Sequence, residues 1–213
     1  VSSSLSNAGV FGVLLLFSIL LVVAYYRGGK KNLRILKASA DMLEETLRPA
    51  DKTYTWLGGT IGFRAEYRVS GFEKVEALVT VLPRQSLLYM PFALLRGSRD
   101  RLEIIFFLQN SVDSELHIIK QSELRQAPAL KQRSLMEVDV SVPEGYSILA
   151  SRPDSATLKG MLRKKDSFFT PHLCHLALVP ERKTLFMSFS LPTSNPTVVS
   201  KNIKALMRQV RAR

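Results

Sequence analysis

His172, Cys174 and His175 form the densest group of side chains in this 213-residue chain that are able to ligate a metal or act as nucleophile and base. An extended strand places His172 and Cys174 on one face and turns His175 to the other. The three therefore do not converge on one ion, and a fourth ligand would have to be His117, the only other histidine. Satisfied structural histidines and a small core thiol are the expectation. Carboxylate pairs occur at Glu44/Glu45, Asp113/Glu115 and Glu137/Asp139. General acid–base work needs such a carboxyl in a cleft beside a group that shifts its pKa. The last two pairs instead alternate with apolar residues, as solvated strand faces do. There is no phosphate-binding loop, dinucleotide fingerprint, zinc-protease helix, hydrolase nucleophile motif or EF-hand loop. Gly58, Gly59 and Gly62 lack the spacing of a dinucleotide loop. No catalytic residue, metal or cofactor is expected, and scattered acids of this kind do not make a calcium site.

Cationic groups are the stronger signal. The net charge is +12, and residues 154–213 alone carry 11 Lys+Arg against 3 Asp+Glu. Arg163, Lys164 and Lys165 form one compact cluster; Lys201, Lys204, Arg208, Arg211 and Arg213 form a second run with no acid after Glu181. Lys and Arg at this density bind polyanions without needing a particular spacing. No exposed aromatic ladder accompanies them, which argues against single-strand stacking. The two candidate partners are RNA read by its phosphates and the headgroups of membrane lipid. Solubility alone is the plain alternative.

The elements that would position these groups begin with Ala8–Tyr26, nineteen residues without a charge. At ~1.5 Å per residue that run covers the ~30 Å core of a bilayer. Arg27, Lys30, Lys31 and Arg34 follow at once and no cation precedes it, so these four orient the segment with the body in the cytosol. Tyr25 and Tyr26 sit at headgroup level. A cleaved signal peptide is the rival reading, but its charge would precede a shorter apolar run ending in small residues. The single Cys174 excludes an intrachain disulfide and suits a reducing compartment. The expected organisation is a short lumenal tail (1–7), a transmembrane helix (8–26), a juxtamembrane amphipathic helix (27–49), an α+β domain (50–194) and a basic C-terminal helix (195–213).

Within the juxtamembrane segment Leu33, Leu36, Ala40, Leu43 and Leu47 recur at helical spacing, and Pro49 stops the helix. Its cations lie in its first turns, against the helix dipole, which suits contact with an anionic leaflet. Residues 63–69 and 75–81 alternate as a hairpin about Ser70-Gly71, after a loop at Trp56–Thr60. A helix starting at Pro83 (PRQSLLYMPFALLRG) is apolar nearly all round and too short to span. Burial under a sheet is expected, membrane skimming is the alternative, and Pro91 should kink it. Further strands are expected at 102–108 (central, being apolar on both faces), 115–120, 136–142, 147–150, 172–179 and 183–191. A basic connector is expected at 124–134 and a short helix near 156–162. Val199, Ile203, Leu206, Met207 and Val210 stripe the last helix opposite its cations. The sum is an α+β fold: one N-terminal transmembrane helix, then a single domain of mostly antiparallel sheet with packed helices.

In order along the chain, YRGGKKNLRIL after the apolar run, a Tyr-x-x-Ser-Gly strand end leading to RQSLL, VPEGYSIL and RKTLFMSFSLPTSN resemble the calumin family. That family is the coiled-coil-containing subunit of the PAT complex in the multipass translocon of the endoplasmic reticulum. The resemblance runs from about Tyr25 to Arg213. It implies a non-enzymatic scaffold or chaperone role in building multipass membrane proteins. The implied partners are the ribosome and its RNA, the translocon, an Asterix-like small membrane protein and client transmembrane segments. The implied location is the endoplasmic reticulum membrane, single-pass with a cytosolic C-terminal domain; residues alone allow a prokaryotic plasma membrane. Lys201, Lys204, Arg208, Arg211 and Arg213 match the start of the helix that reaches toward the tunnel exit. The family's acidic lumenal segment, to which calcium binding is attributed, and its long Lys/Glu-rich coiled coil are not among these residues. Calcium binding is accordingly not carried over.

Overall fold

The apolar run and the amphipathic stretch after it are a single uninterrupted helix, α1 (Ser2–Leu47), in the computed structural model. The structure describes residues 2–110, 112–124, 135–138, 143–155, 158–159, 169–192 and 196–211. No proline interrupts α1, and its 46 residues extend over ~70 Å. The 18-residue apolar window within it has no buried residue, and this helix is long and apolar enough to cross a membrane. Burial begins at Asn32 and continues through Ile35, Leu36, Met42, Leu43 and Leu47. Leu33, expected on the apolar stripe, is half exposed, because the packed face is centred on Asn32 and Leu36 instead. The helix ends where Arg48 turns left-handed (φ 47°) before Pro49.

Among the described residues nine strands follow: β1 (Asp51–Trp56), β2 (Gly62–Arg68), β3 (Lys74–Thr80), β4 (Arg101–Phe107), β5 (Leu116–Lys120), β6 (Met136–Glu137), β7 (Tyr146–Ala150), β8 (Leu173–Val179) and β9 (Thr184–Ser190). They form one sheet in the order β1-β2-β3-β4-β9-β8-β5-β7-β6, and each described pair is antiparallel. The central strands alternate because one face carries the core. Ala65 and Tyr67, Ala77 and Val79, Ile104 and Phe106, and Met187 and Phe189 turn to that face. The second half of α1 covers it together with the last helix, which contributes Val199, Ile203, Leu206 and Met207 from the chain about α4 (Ser200–Arg211). Each of those four chains contributes roughly 1.5–3 kcal/mol by burial. An α+β architecture with a long apolar N-terminal helix is thus in place.

Two local expectations are corrected. The helix from Pro83 is a series of turns ending in a six-residue helix, α2 (Met90–Leu95), and only Ala93 of it is buried. Pro91 does not kink it: proline occupies the first turn, where its missing N–H costs nothing. The strand expected over 136–142 is assigned for Met136 and Glu137 alone; 139–142 lie outside the described residues. β1 was unforeseen, since all six of its side chains are exposed. It pairs with β2 along its length, and Tyr54 and Lys52 reach Glu44 of α1 at 2.7 and 2.5 Å. The expected helix near 156–162 is described only at Leu158 and Lys159. Of the basic connector, Leu124 closes a short helix, α3 (Gln121–Leu124), and 125–134 lie outside the described residues.

Candidate functional site

Cations on α4 are set outward by the packing of its other face. Ile203, Leu206 and Met207 are buried in the core, and Asn202 donates to Thr170 Oγ1 at 2.6 Å, which fixes the helix about its axis. Lys201 and Arg208 are therefore exposed and Lys204 half-buried, at spacings of three and four along one stripe. Arg211 closes α4. Cations in its last turns also complement the helix dipole. Arg163, Lys164, Lys165 and Arg213 lie outside the described residues. Arg27, Lys30, Lys31 and Arg34 are all exposed around α1 directly after the apolar run.

A polar cluster that the sequence did not announce fastens α1 to the sheet just beyond those cations. Asn32 Nδ2 donates to the Thr60 carbonyl (2.9 Å), the Leu82 carbonyl (2.8 Å) and Gln85 Oε1 (3.0 Å). Asn32 Oδ1 accepts from Arg84 Nη1 at 3.0 Å. Arg84 also donates to both carboxylate oxygens of Asp100, at 2.9 and 2.6 Å, and Asp100 accepts the Leu82 amide at 2.8 Å. Only 8% of the Arg84 side chain and 2% of that of Asp100 are exposed, so this is a buried ion pair with its hydrogen-bonding groups used. One turn earlier Gly28 lies directly against the Arg84 carbonyl; a Cβ there would overlap it and stand 2.6 Å from the Gln85 nitrogen. That close approach accounts for a glycine in mid-helix, where it costs about 1 kcal/mol against alanine.

The histidines make a different arrangement from the expected one. A bulge between Leu173 and His175 breaks the alternation of β8. His175 Nε2 then lies 3.1 Å from His117 Nδ1 on β5, and His117 Nε2 lies 2.9 Å from Glu115 Oε1. With Glu115 ionised, His117 carries its hydrogen on Nε2 and accepts from His175 at Nδ1. Burial, then the neighbouring His117 and Arg101, push His175 down to about 4. Cys174 is buried and donates to the His172 carbonyl at 3.7 Å; burial pushes its thiol above the ordinary range, opposite to what a nucleophile needs. His172 does not join the cluster through any described side-chain bond. Among the described residues no three His, Cys, Asp or Glu are placed to hold a metal ion.

Between α2 and the ends of β3 and β4 lies a cleft of about 370 Å³, lined in part by Tyr89, Ala93, Arg96, Ser98, Arg99 and Arg101. Among the described residues its lining contains no carboxylate and no histidine, and it offers guanidinium groups to an anion. Arg101 is already paired, with Glu123 of α3 at 2.8 Å. Arg96 and Arg99 are exposed. No protein-family model matches the chain, and no curated protein matches it either.

Proposed function

We propose that this chain is a single-span membrane protein whose sheet domain is a non-enzymatic scaffold, bound to the ribosome at the translocon, for building multipass membrane proteins. In this reading α1 crosses the endoplasmic reticulum membrane (the plasma membrane if the source is prokaryotic). Arg27, Lys30, Lys31 and Arg34 hold the domain on the cytosolic side. An Asterix-like small membrane protein and client transmembrane segments are the partners within the bilayer, and ribosomal RNA is the partner of the basic surface. The resemblance to the calumin family supplies the setting.

The observation that carries the reading is the packing of α4 on α1. One helix serves both as the apolar run and as a wall of the sheet's core, and α4 lies on it with Lys201, Lys204 and Arg208 outward. A polyanion bound there is held at a fixed geometry to the spanning helix, which is what a scaffold requires and a solubility charge does not.

The test is co-sedimentation of the full chain, in lipid nanodiscs, with ribosomes. Wild type should pellet, and neutralising Lys201, Lys204, Arg208, Arg211 and Arg213 to Gln should weaken binding about tenfold or more, with a shallower salt dependence. Equal pelleting of the two forms, or binding of the wild type to anionic vesicles with no affinity for ribosomes, refutes the ribosome reading. The second outcome is what a lipid-binding or tethering adaptor gives.

A further inference from the structure

The residues between β3 and β4 form an apolar lobe with no described cover. Leu88, Phe92 and Leu94 are each more than half exposed and Leu95 is 85% exposed, while Ala93 alone of α2 is buried. Four large apolar side chains exposed within residues 88–95 exceed ordinary scatter and mark an interaction site.

The position of the lobe says what it faces. Its backbone starts at Arg84–Gln85, which rests on Gly28, two residues beyond the last tyrosine of the apolar run. Asn32 holds the same stretch through Leu82 and Gln85. The lobe thus leaves α1 at the level where its apolar segment ends. Leu21 and Ala24 lie on the helical stripe of Gly28 and Asn32. They alone are half-buried among residues 13–26, so the cover of that stripe continues into the apolar run. On the other side of the junction, Asn32 holds the loop after β1 through the Thr60 carbonyl. That loop exposes Leu57 and Ile61 and adjoins Trp56, the chain's one tryptophan, itself 56% exposed. Arg96 and Arg99 follow α2 beside the acid-free cleft. Apolar tips, a tryptophan and cations at their back are the composition that settles at a bilayer interface with anionic headgroups.

We propose that the α2 lobe and the Trp56 loop are a second membrane contact. They insert among the headgroups and upper acyl chains of the leaflet from which α1 emerges, with Arg96 and Arg99 on lipid phosphates. This rests on the reading of α1 as a membrane span and is independent of the ribosome. Two points of attachment, one spanning and one interfacial, fix the tilt of the sheet against the membrane plane. With α1 alone in the bilayer, the helix and the domain packed on it would be free to tilt and turn together.

The test uses the full chain reconstituted in phosphatidylcholine–phosphatidylserine vesicles, with and without brominated acyl chains. Trp56 reports directly, without substitution. A fluorophore is also placed at Leu95→Cys, Leu16→Cys or Arg68→Cys in a Cys174→Ala background; Arg68 ends β2 some ~20 Å from the loop. Bromination should remove about half of the emission of Trp56 and of the Leu95 and Leu16 probes, and leave the Arg68 probe unchanged. Quenching at Leu16 with Trp56 and Leu95 unaffected and open to aqueous iodide overturns the second contact and leaves the span standing. A Leu95 probe shielded from iodide but not quenched by bromine means a second copy of the chain covers the lobe, and this overturns it too. No quenching at Leu16 overturns the span and the contact together.

Discussion

Two groups of buried polar side chains sit in two halves of the same sheet, and they handle charge in opposite ways. At the end of β3 and the start of β4, Arg84 and Asp100 form a buried ion pair in which each answers the other, and Asn32 accepts a further bond from Arg84. In the other half, Glu115, His117 and His175 stand in file at 2.9 and 3.1 Å, and the outermost histidine is held neutral by burial. The first cluster joins α1, a helix outside the sheet's backbone ladder, to the β3–α2 turns and the residue before β4. The second lies on strands that already pair through their backbones. Paired charge is used where side chains must hold a helix to the sheet. A titratable group is tolerated where the ladder holds it regardless of pH.

Removing one partner of the charged cluster should give the largest effect. Asp100→Ala leaves the Arg84 guanidinium buried without its counter-charge and frees the Leu82 amide, so a loss of about 3–5 kcal/mol is expected. Lys201→Ala on the exposed stripe of α4 should change stability by less than about 0.5 kcal/mol. Unfolding of the two full-length variants in the same detergent compares them directly. Equal losses would mean that Arg84–Asp100 is no more a fastening than a surface charge is.

The histidine file should respond to pH. His175 is held at about 4 in the fold, against about 6.5 for an ordinary histidine. Between those values the unfolded chain binds the extra proton, so the contribution of His175 is full above the upper value and falls as acid is added through the lower. The integrated loss is about 3 kcal/mol. The groups facing His175 are His117 on β5, which is bonded to Glu115, and Arg101 on β4, which is paired with Glu123. His175→Gln keeps an amide donor toward His117 and removes the titration, so its stability between those pH values should be flatter than that of wild type. Parallel pH profiles would place the acid sensitivity elsewhere.

What the sequence reveals of this molecule follows the period of burial. β2, β3, β9 and α4 were legible because one face of each is packed, and the apolar positions repeat at two or at three and four residues. β1 has no packed face and therefore no pattern. α2 was misread because an all-round apolar stretch looks the same whether a sheet covers it or leaves it exposed. His175 escaped because a bulge shifts parity, and a strict alternation argument fails at one extra residue. The junction is the harder case: Asn32 meets Arg84 across 52 positions, and no local spacing encodes that meeting. One visible hint existed, an asparagine one turn before Leu36 on an otherwise apolar stripe. The outward stripe of Lys201, Lys204 and Arg208 was read correctly from the sequence, whereas the cations at 163–165 fall outside the described residues.

Two adjacent glycines sharpen the picture of the junction most finely, because the fold treats them oppositely. A Cβ at Gly28 would overlap the carbonyl of Arg84, a backbone atom that the Asn32 and Asp100 bonds hold in place. Gly28→Ala must therefore push α1 and the β3–α2 turns apart, for a loss of about 1–3 kcal/mol. At Gly29 the nearest atom to an added Cβ is Thr60 Oγ1 at 3.8 Å, an ordinary contact. Gly29→Ala should accordingly stabilise the fold, by up to about 1 kcal/mol from helix propensity alone. Both variants leave the apolar run and every charge unchanged, so membrane affinity does not confuse the measurement. Opposite signs in one unfolding series are the signature of a backbone seated on Gly28. The same sign for both would mean that the pair merely loosens the helix, and the fastening would then rest on the side chains alone.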